Sequence, residues 1–220
     1  MQNDDPETVA DGHWEINLAT TGARSDTARE IEYLRVDANY GLGARAQLKF
    51  ETPVTAHAEG GGTHRGLGAS TFGVRFRFMD QDKAGVDVST YPQYTFDLLH
   101  ASSKHGVTSG DAEMFLPIEI ARDFGAFKLG GELGHTFVES APDEFVWGIV
   151  GGMDCLKGLE CLAEIRTRRI AGQNLSLVNV GTRIKLDDSL NLLASAGRGI
   201  GPDSPDRPDW VFYLALQVLR

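Results

Sequence analysis

Charged side chains recur at every second position along much of this sequence, and that spacing is its first chemical feature. Arg35 and Asp37 follow the pattern, then Arg45, Lys49 and Glu51, then Arg75 and Arg77, each alternating with apolar or small neighbours. Asp87, Glu119, Lys128, Glu132, Glu164, Arg166 and Arg183 extend the set along the chain. On a strand, successive side chains point to opposite faces, so each run places its charges on one side. Gathered inside a closed wall, such charges can line a solute path. They can equally brace the lumen by satisfying one another, because buried charge must be paired or hydrated. The basic group Arg45, Lys49, Arg75 and Arg77 would attract an anionic solute.

Other chemistry is thinner. His100-Ala101-Ser102 has a His-x-Ser spacing of the kind a membrane lipid hydrolase uses, yet no clear orienting group follows it. A triad needs nucleophile, base and orienter within hydrogen-bond reach, so a non-enzyme is expected. His13, His57, His64, His100, His105 and His135 show no ligand spacing, and neither a metal site nor a cofactor is expected. Gly60–Gly62 lies in EGGGTHRGLG, which lacks the Gly-Lys-Ser/Thr ending of a phosphate loop. The net charge of -10, without a block of Lys or Arg, excludes nucleic acid as a partner. Cys155 and Cys161 flank the turn LKGLE. They are either two thiols or a disulfide across a hairpin, and the second needs an oxidising compartment such as the periplasm.

The elements that must position these residues follow from period-two alternation, and no convincing amphipathic helix interrupts it. Strands are expected near 14–20, 31–40, 44–55, 70–79, 85–96, 112–122, 127–137, 144–153, 159–168, 175–186, 190–200 and 210–220. Most are about ten residues long, the ~9–11 of a tilted spanning strand rather than the ~5–6 of a globular one. Short Gly- and Asp-rich turns, such as Gly41–Gly43, Asp80–Lys83 and Asp187–Ser189, alternate with longer links, such as His57–Ala69 and Asp97–Gly110. Up-and-down membrane barrels show that asymmetry, with short periplasmic turns and longer outer loops. No apolar run approaches the ~18–20 residues of a spanning helix.

Which face is wet is decided by size and residue type. A twelve-strand barrel encloses more space than side chains of an eight-strand barrel fill, yet Ala, Gly and Val are common on the apolar face here. Trp14, Tyr40, Tyr94, Phe127, Phe137, Trp210 and Phe212 sit near strand ends, as in interfacial girdles. The expectation is therefore an all-β, up-and-down transmembrane antiparallel β-barrel of twelve strands. Phe72, Val74, Phe76 and Phe78 face lipid, and the charged set faces the lumen. Residues 13–220 form the barrel and residues 1–12 a periplasmic tail. Pro92, which has no N–H to give a ladder, predicts a bulge or weakened strand pair where a lateral opening can form.

Several stretches carry a resemblance. GLGASTFGVRFRF with its acidic turn, Tyr91-Pro92, and VNVGTRIKLDDSLNLLASAGRGIG do so, together with EINLATTG and YLRVDANYGLGARAQLKFETPV near the start. From about Trp14 onward the chain resembles Gram-negative outer-membrane transporters of the meta-pathway of phenol degradation. The resemblance implies a barrel in the bacterial outer membrane behind a removed leader; the expected setting is a monomer among lipid or detergent. It also implies passive uptake of small hydrophobic or aromatic solutes through a charge-lined lumen or a lateral opening. A hydrolase, or a structural barrel without transport, are the alternatives. One departure is the ending: such barrels close on Phe or Trp, and this chain reads LQVLR.

Overall fold

Alternation dictates the architecture. In the computed structural model, which describes residues 7–220, nearly every segment that alternates in the sequence is a strand. In chain order these are β1 (Trp14–Arg24), β2 (Ala28–Leu42), β3 (Ala46–Glu59), β4 (Gly62–Leu67), β5 (Ser70–Met79), β6 (Asp87–Thr90) and β7 (Gln93–Phe96). Then come β8 (Glu113–Asp123), β9 (Lys128–Val138), β10 (Glu144–Leu156), β11 (Leu159–Ile170), β12 (Gln173–Lys185), β13 (Leu190–Ile200) and β14 (Trp210–Leu219). Two single-turn helices, α1 (Gln81–Ala84) and α2 (Ala101–Lys104), sit in connections.

All pairings are between antiparallel neighbours, and β1 pairs with β14 from Glu15↔Leu219 to Arg24↔Trp210. The first and last strands thus seal the wall. The 14 strand segments make a closed barrel of 12 staves. Two staves are divided: β4 and β5 both run along β3, and β6 and β7 both run between β5 and β8. Closure leaves no sheet edge, which is what a wall in hydrocarbon requires, since lipid offers no partner to a bare N–H or C=O.

Burial is inverted relative to a soluble barrel. Phe72 is 47% exposed on the outside while Arg75, three positions on, is 5% exposed inside. Val74, Phe76 and Phe78 share the outer face with Phe72, and Lys49, Glu51, Glu119 and Glu164 are buried within. Aromatic pairs mark both ends of the outer face. Trp14 and Tyr40 (4.8 Å between centroids) and Phe124 and Phe127 (4.7 Å) lie at the end with short turns. Tyr94 and Phe96, and Trp210 and Phe212, stack at the other end. Cys155 and Cys161 are joined by a disulfide across the β10–β11 turn, with their Cα atoms 5.8 Å apart.

Candidate solute path

Two cavities lie near the long-loop end. One, of about 300 Å³, takes Arg166 and Arg168 from β11, Leu175 and Leu177 from β12 and Val211 from β14, with Arg24, Glu30, His57 and Asp206 at its border. The other, of about 280 Å³, is acidic: Glu30, Glu32, Glu51, Asp97, Asp111 and Glu113 line it beside Thr55, Thr71, Thr95 and Val107. At this end the lumen therefore has a mixed-charge, partly apolar side and a predominantly acidic side, with Glu30 common to both.

Beneath the acidic cavity Tyr91 packs into the lumen. Its ring is 1% exposed, the Arg75 guanidinium stacks on it at 4.1 Å from the centroid, and its hydroxyl donates to Asn39 Oδ1 at 3.2 Å. A Cβ on Gly73 would stand 3.0 Å from the ring, so a glycine there makes room for it. Arg75 also faces Glu119 at 3.4 Å, and Ser89 donates to Glu119 Oε2 at 2.7 Å. Lys49 bridges Asp37 (3.5 Å) and Glu51 (2.9 Å), and Arg35 holds Glu51 at 2.6 Å. Strand alternation brings these charges inward, and cross-strand register makes them partners.

Below this layer, residues 7–12 run along the inside of the wall. Arg75 Nη1 donates to the Glu7 carbonyl at 2.8 Å, and Lys128 Nζ meets the Glu7 carboxylate at 2.9 Å. The Val9 N–H donates to Gln47 Oε1, and Asp11 bridges to Gly41. Any side chain on Gly41 would collide with the Val9 and Ala10 carbonyls, so this close approach depends on a glycine. Glu7 thus spans from β5 to β9 across the short-turn end of the lumen.

The wall beside Tyr91 is interrupted. The β6–β8 ladder runs from Asp87↔Ala121 to Thr90↔Ile118 and stops. It resumes between β7 and β8 at Gln93↔Phe115. In the gap Tyr91-Pro92 faces Leu116-Pro117, and neither proline has an N–H to donate. The Thr90 hydroxyl donates to the Pro117 carbonyl at 2.6 Å, and Pro92 retains one bond to β5, from Val74 N–H at 3.0 Å. A shift of register in the β5–β6 ladder between Arg77 and Met79 adds a second irregularity.

Against solved structures, the chain superposes over its full length on an outer-membrane channel from Pseudomonas putida F1. The TM-score is 0.77, with 12% identity and 100% of both chains covered. The fold is that of an outer-membrane β-barrel. The NanC porin matches with a TM-score of 0.67 and 7% identity over 92% of this chain and 98% of that one. The KdgM porin gives 0.64 and 9% over 93% and 98%, and that porin has also been solved in complex with disordered oligogalacturonate. No protein-family model and no curated protein matches the chain.

Within the barrel, the charged residues singled out from sequence divide by position. Arg35, Lys49, Arg75, Arg77, Asp87, Glu119, Glu132, Glu164 and Arg166 lie on the inner face, most of them in ion pairs. Arg77 sits 3.7 Å from Asp87 and 3.5 Å from Asp80, Arg166 3.1 Å from Glu132, and Asn179 donates to Glu164 at 3.0 Å. Lys128 and Arg183 are at the short-turn mouth, where Arg183 pairs with Glu160 at 3.1 Å. Arg45 does not line the lumen; it is exposed in the turn between β2 and β3. The basic group expected to draw anions is accordingly dispersed, with acidic partners beside Lys49, Arg75 and Arg77.

Residues 7–12, read as a periplasmic tail, are inside the mouth instead, and residues 1–6 of that tail lie outside the described residues. Sequence reasoning passed over Tyr91, Asn39, Gln47 and Phe115 as lumen residues, although strand parity places them there. His100 caps α2 and Ser102 is buried within it, and among the described residues no hydrogen bond joins the imidazole to the Ser102 hydroxyl.

Proposed function

We propose that this chain is an outer-membrane channel for passive uptake of small hydrophobic or aromatic molecules. They enter the outer cavities and leave sideways between β6/β7 and β8. The observation that carries the reading is a coincidence of position. Tyr91 is packed inside the lumen, 1% exposed, at the level where the wall ladder is interrupted, at Tyr91-Pro92 and Pro117. A solute too apolar to cross the charged lower lumen has a shorter way into the bilayer at that seam.

The similarity of fold to outer-membrane channels supports a channel rather than an enzyme. The exposed apolar outer face and the Cys155–Cys161 disulfide support a bacterial outer-membrane setting, where thiols are oxidised. The partners are membrane lipid and the solute, and the closed wall is complete in one chain.

A second reading has a specific observation behind it. Arg166 and Arg168 face an acidic wall across the outer lumen, an arrangement that orients polar solutes on an aqueous path. Proteoliposome swelling with sugars and uptake of an apolar dye separate the two readings. Dye uptake with little swelling supports the lateral route, and fast sugar swelling with no dye uptake rejects it.

A further inference from the structure

The outer face of this barrel should be apolar where it meets lipid, yet one arc of it is basic. Arg24 on β1 and Arg29 on β2 are directly opposite each other in the ladder. Alternation turns both side chains outward: Ala23 and Glu30 are on the inner parity of their strands, and Arg24 is the cross-strand partner of Trp210 in the outer aromatic belt, although at the strand end Arg24 also borders the lumen cavity with Ala23 and Ser25. Arg198 of β13 lies on the other side of the Trp210 strand, beyond the pair Gly197↔Val211. Arg65, opposite Ala56 on β4, and Arg169, opposite Phe145 on β11, extend the arc on either side. All five are exposed.

Two physical points make this more than scattered surface charge. Like charges directly opposite on adjacent strands destabilise the pair, and Arg24 and Arg29 are such a pair. Among the described residues no ion pair is made by Arg24, Arg29 or Arg198. Asp26, Asp206 and Asp209 lie in the loops above, and Arg207 takes Asp203 at 2.9 Å. Arginine on the lipid side of a barrel is also disfavoured toward the midplane and tolerated near the interface, the level that Trp210 marks. In a chain of net charge -10, the arc is a local reversal of sign. Beyond Arg169 the arc ends, since the outward side chains of β10 and β9 at this level are Phe145, Trp147, His135 and Phe137.

We propose that Arg24, Arg29 and Arg198, flanked by Arg65 and Arg169, bind the phosphorylated headgroup of an outer-leaflet glycolipid. Guanidinium groups form paired, charge-assisted bonds with phosphate oxygens. One phosphate between Arg24 and Arg29 removes their repulsion, and Arg198 stands about two strand spacings, roughly 10 Å, from Arg24, within reach of a second phosphate on the same headgroup. The acyl chains then lie along the apolar face below. The site rests on the outer-membrane reading above, with the longer loops outward.

The test is native mass spectrometry of the purified full-length chain in detergent, titrated with bis-phosphorylated lipid A, monophosphoryl lipid A, phosphatidylethanolamine or inorganic phosphate. Bis-phosphorylated lipid A should be retained in preference to the other three. A variant with Arg24→Gln, Arg29→Gln and Arg198→Gln should bind it at least about tenfold less tightly, while Arg122→Gln at the short-turn end changes nothing. The Arg198→Gln single variant, and Arg24→Lys with Arg29→Lys, serve if the triple variant does not fold; the first must loosen binding and the second must largely keep it. Equal retention of all four probes, unchanged affinity in the glutamine variants, or an equal loss in Arg122→Gln overturns the proposal. Conductance and dye uptake, measured on the same preparations, report on the channel reading separately.

Discussion

The Arg75 guanidinium lies flat over the Tyr91 ring, 4.1 Å from its centroid, with Glu119 3.4 Å from the same guanidinium. This contact packs across the inside of the barrel, and it ties the lumen to the seam, because the strand is interrupted at Tyr91-Pro92. Removing the ring while keeping the wall should open the path. Tyr91→Ala is expected to raise single-channel conductance severalfold and to cost about 3 kcal/mol of stability, as for other large-to-small changes at packed aromatics. Tyr91→Phe keeps the ring and should leave conductance near that of the parent.

Arg75→Met removes a guanidinium beside a carboxylate that is 1% exposed. Breaking a buried pair from one side costs roughly 3–5 kcal/mol. The double variant Arg75→Met with Glu119→Gln should recover much of that loss. Urea unfolding in lipid vesicles, followed by tryptophan fluorescence, reads both, and equal instability of the single and double variants would count against the pairing.

The segment that ends at Gly12 is held by Arg75, Gln47 and Lys128. Deleting residues 1–11 should raise ion conductance while the folded barrel keeps its heat-modifiable migration on gels. Lys128→Gln removes an ion pair to Glu7 near the mouth, and a partly exposed pair is worth about 0–1 kcal/mol, so its effect on stability should be small. Unchanged conductance after the deletion would mean that the segment does not obstruct the lumen.

The β12–β13 turn carries a pH dependence of known sign. The Asp187 carboxylate accepts from the Ser189 N–H at 2.7 Å and from the Ser189 hydroxyl at 2.9 Å. Those bonds, the backbone one foremost, hold its pKa below the ordinary aspartate value. A lowered folded-state pKa gives stability that is present above the unfolded value and lost as pH falls through the folded one. Amide exchange at Ser189, corrected for intrinsic rates, should therefore speed up as pH falls below the ordinary aspartate range, and Asp187→Asn should flatten that dependence.

Much of the wall was legible because a strand advertises its two faces at fixed period. Phe72 and Arg75 reveal their opposite sides without any partner in view, and Pro92 marks its own break because it has no N–H. What stayed hidden depends on register and on distance along the chain. Nothing near Pro117 says that it will face Tyr91-Pro92, since that follows from how far β8 slides along β6. Likewise Glu7 and Lys128 are 121 positions apart, and no local pattern predicts that a polar segment before the first strand turns into the lumen. Arg45 was misplaced by one strand end: its parity fits the inner face, but the ladder begins at Ala46.

The central claim is that apolar solutes leave through the wall between β6/β7 and β8. Thr90 and Ile118 are opposite each other at its edge, and cross-strand Cα separations of ~4.5–5.5 Å suit a disulfide. The decisive measurement is uptake of an apolar aromatic dye by vesicles holding the Thr90→Cys, Ile118→Cys variant, oxidised and then reduced, with the parent barrel treated alike to control for Cys155–Cys161. The account predicts background uptake when the seam is locked, parental uptake on reduction, and unchanged ion conductance throughout. Full dye uptake through the locked wall would contradict it.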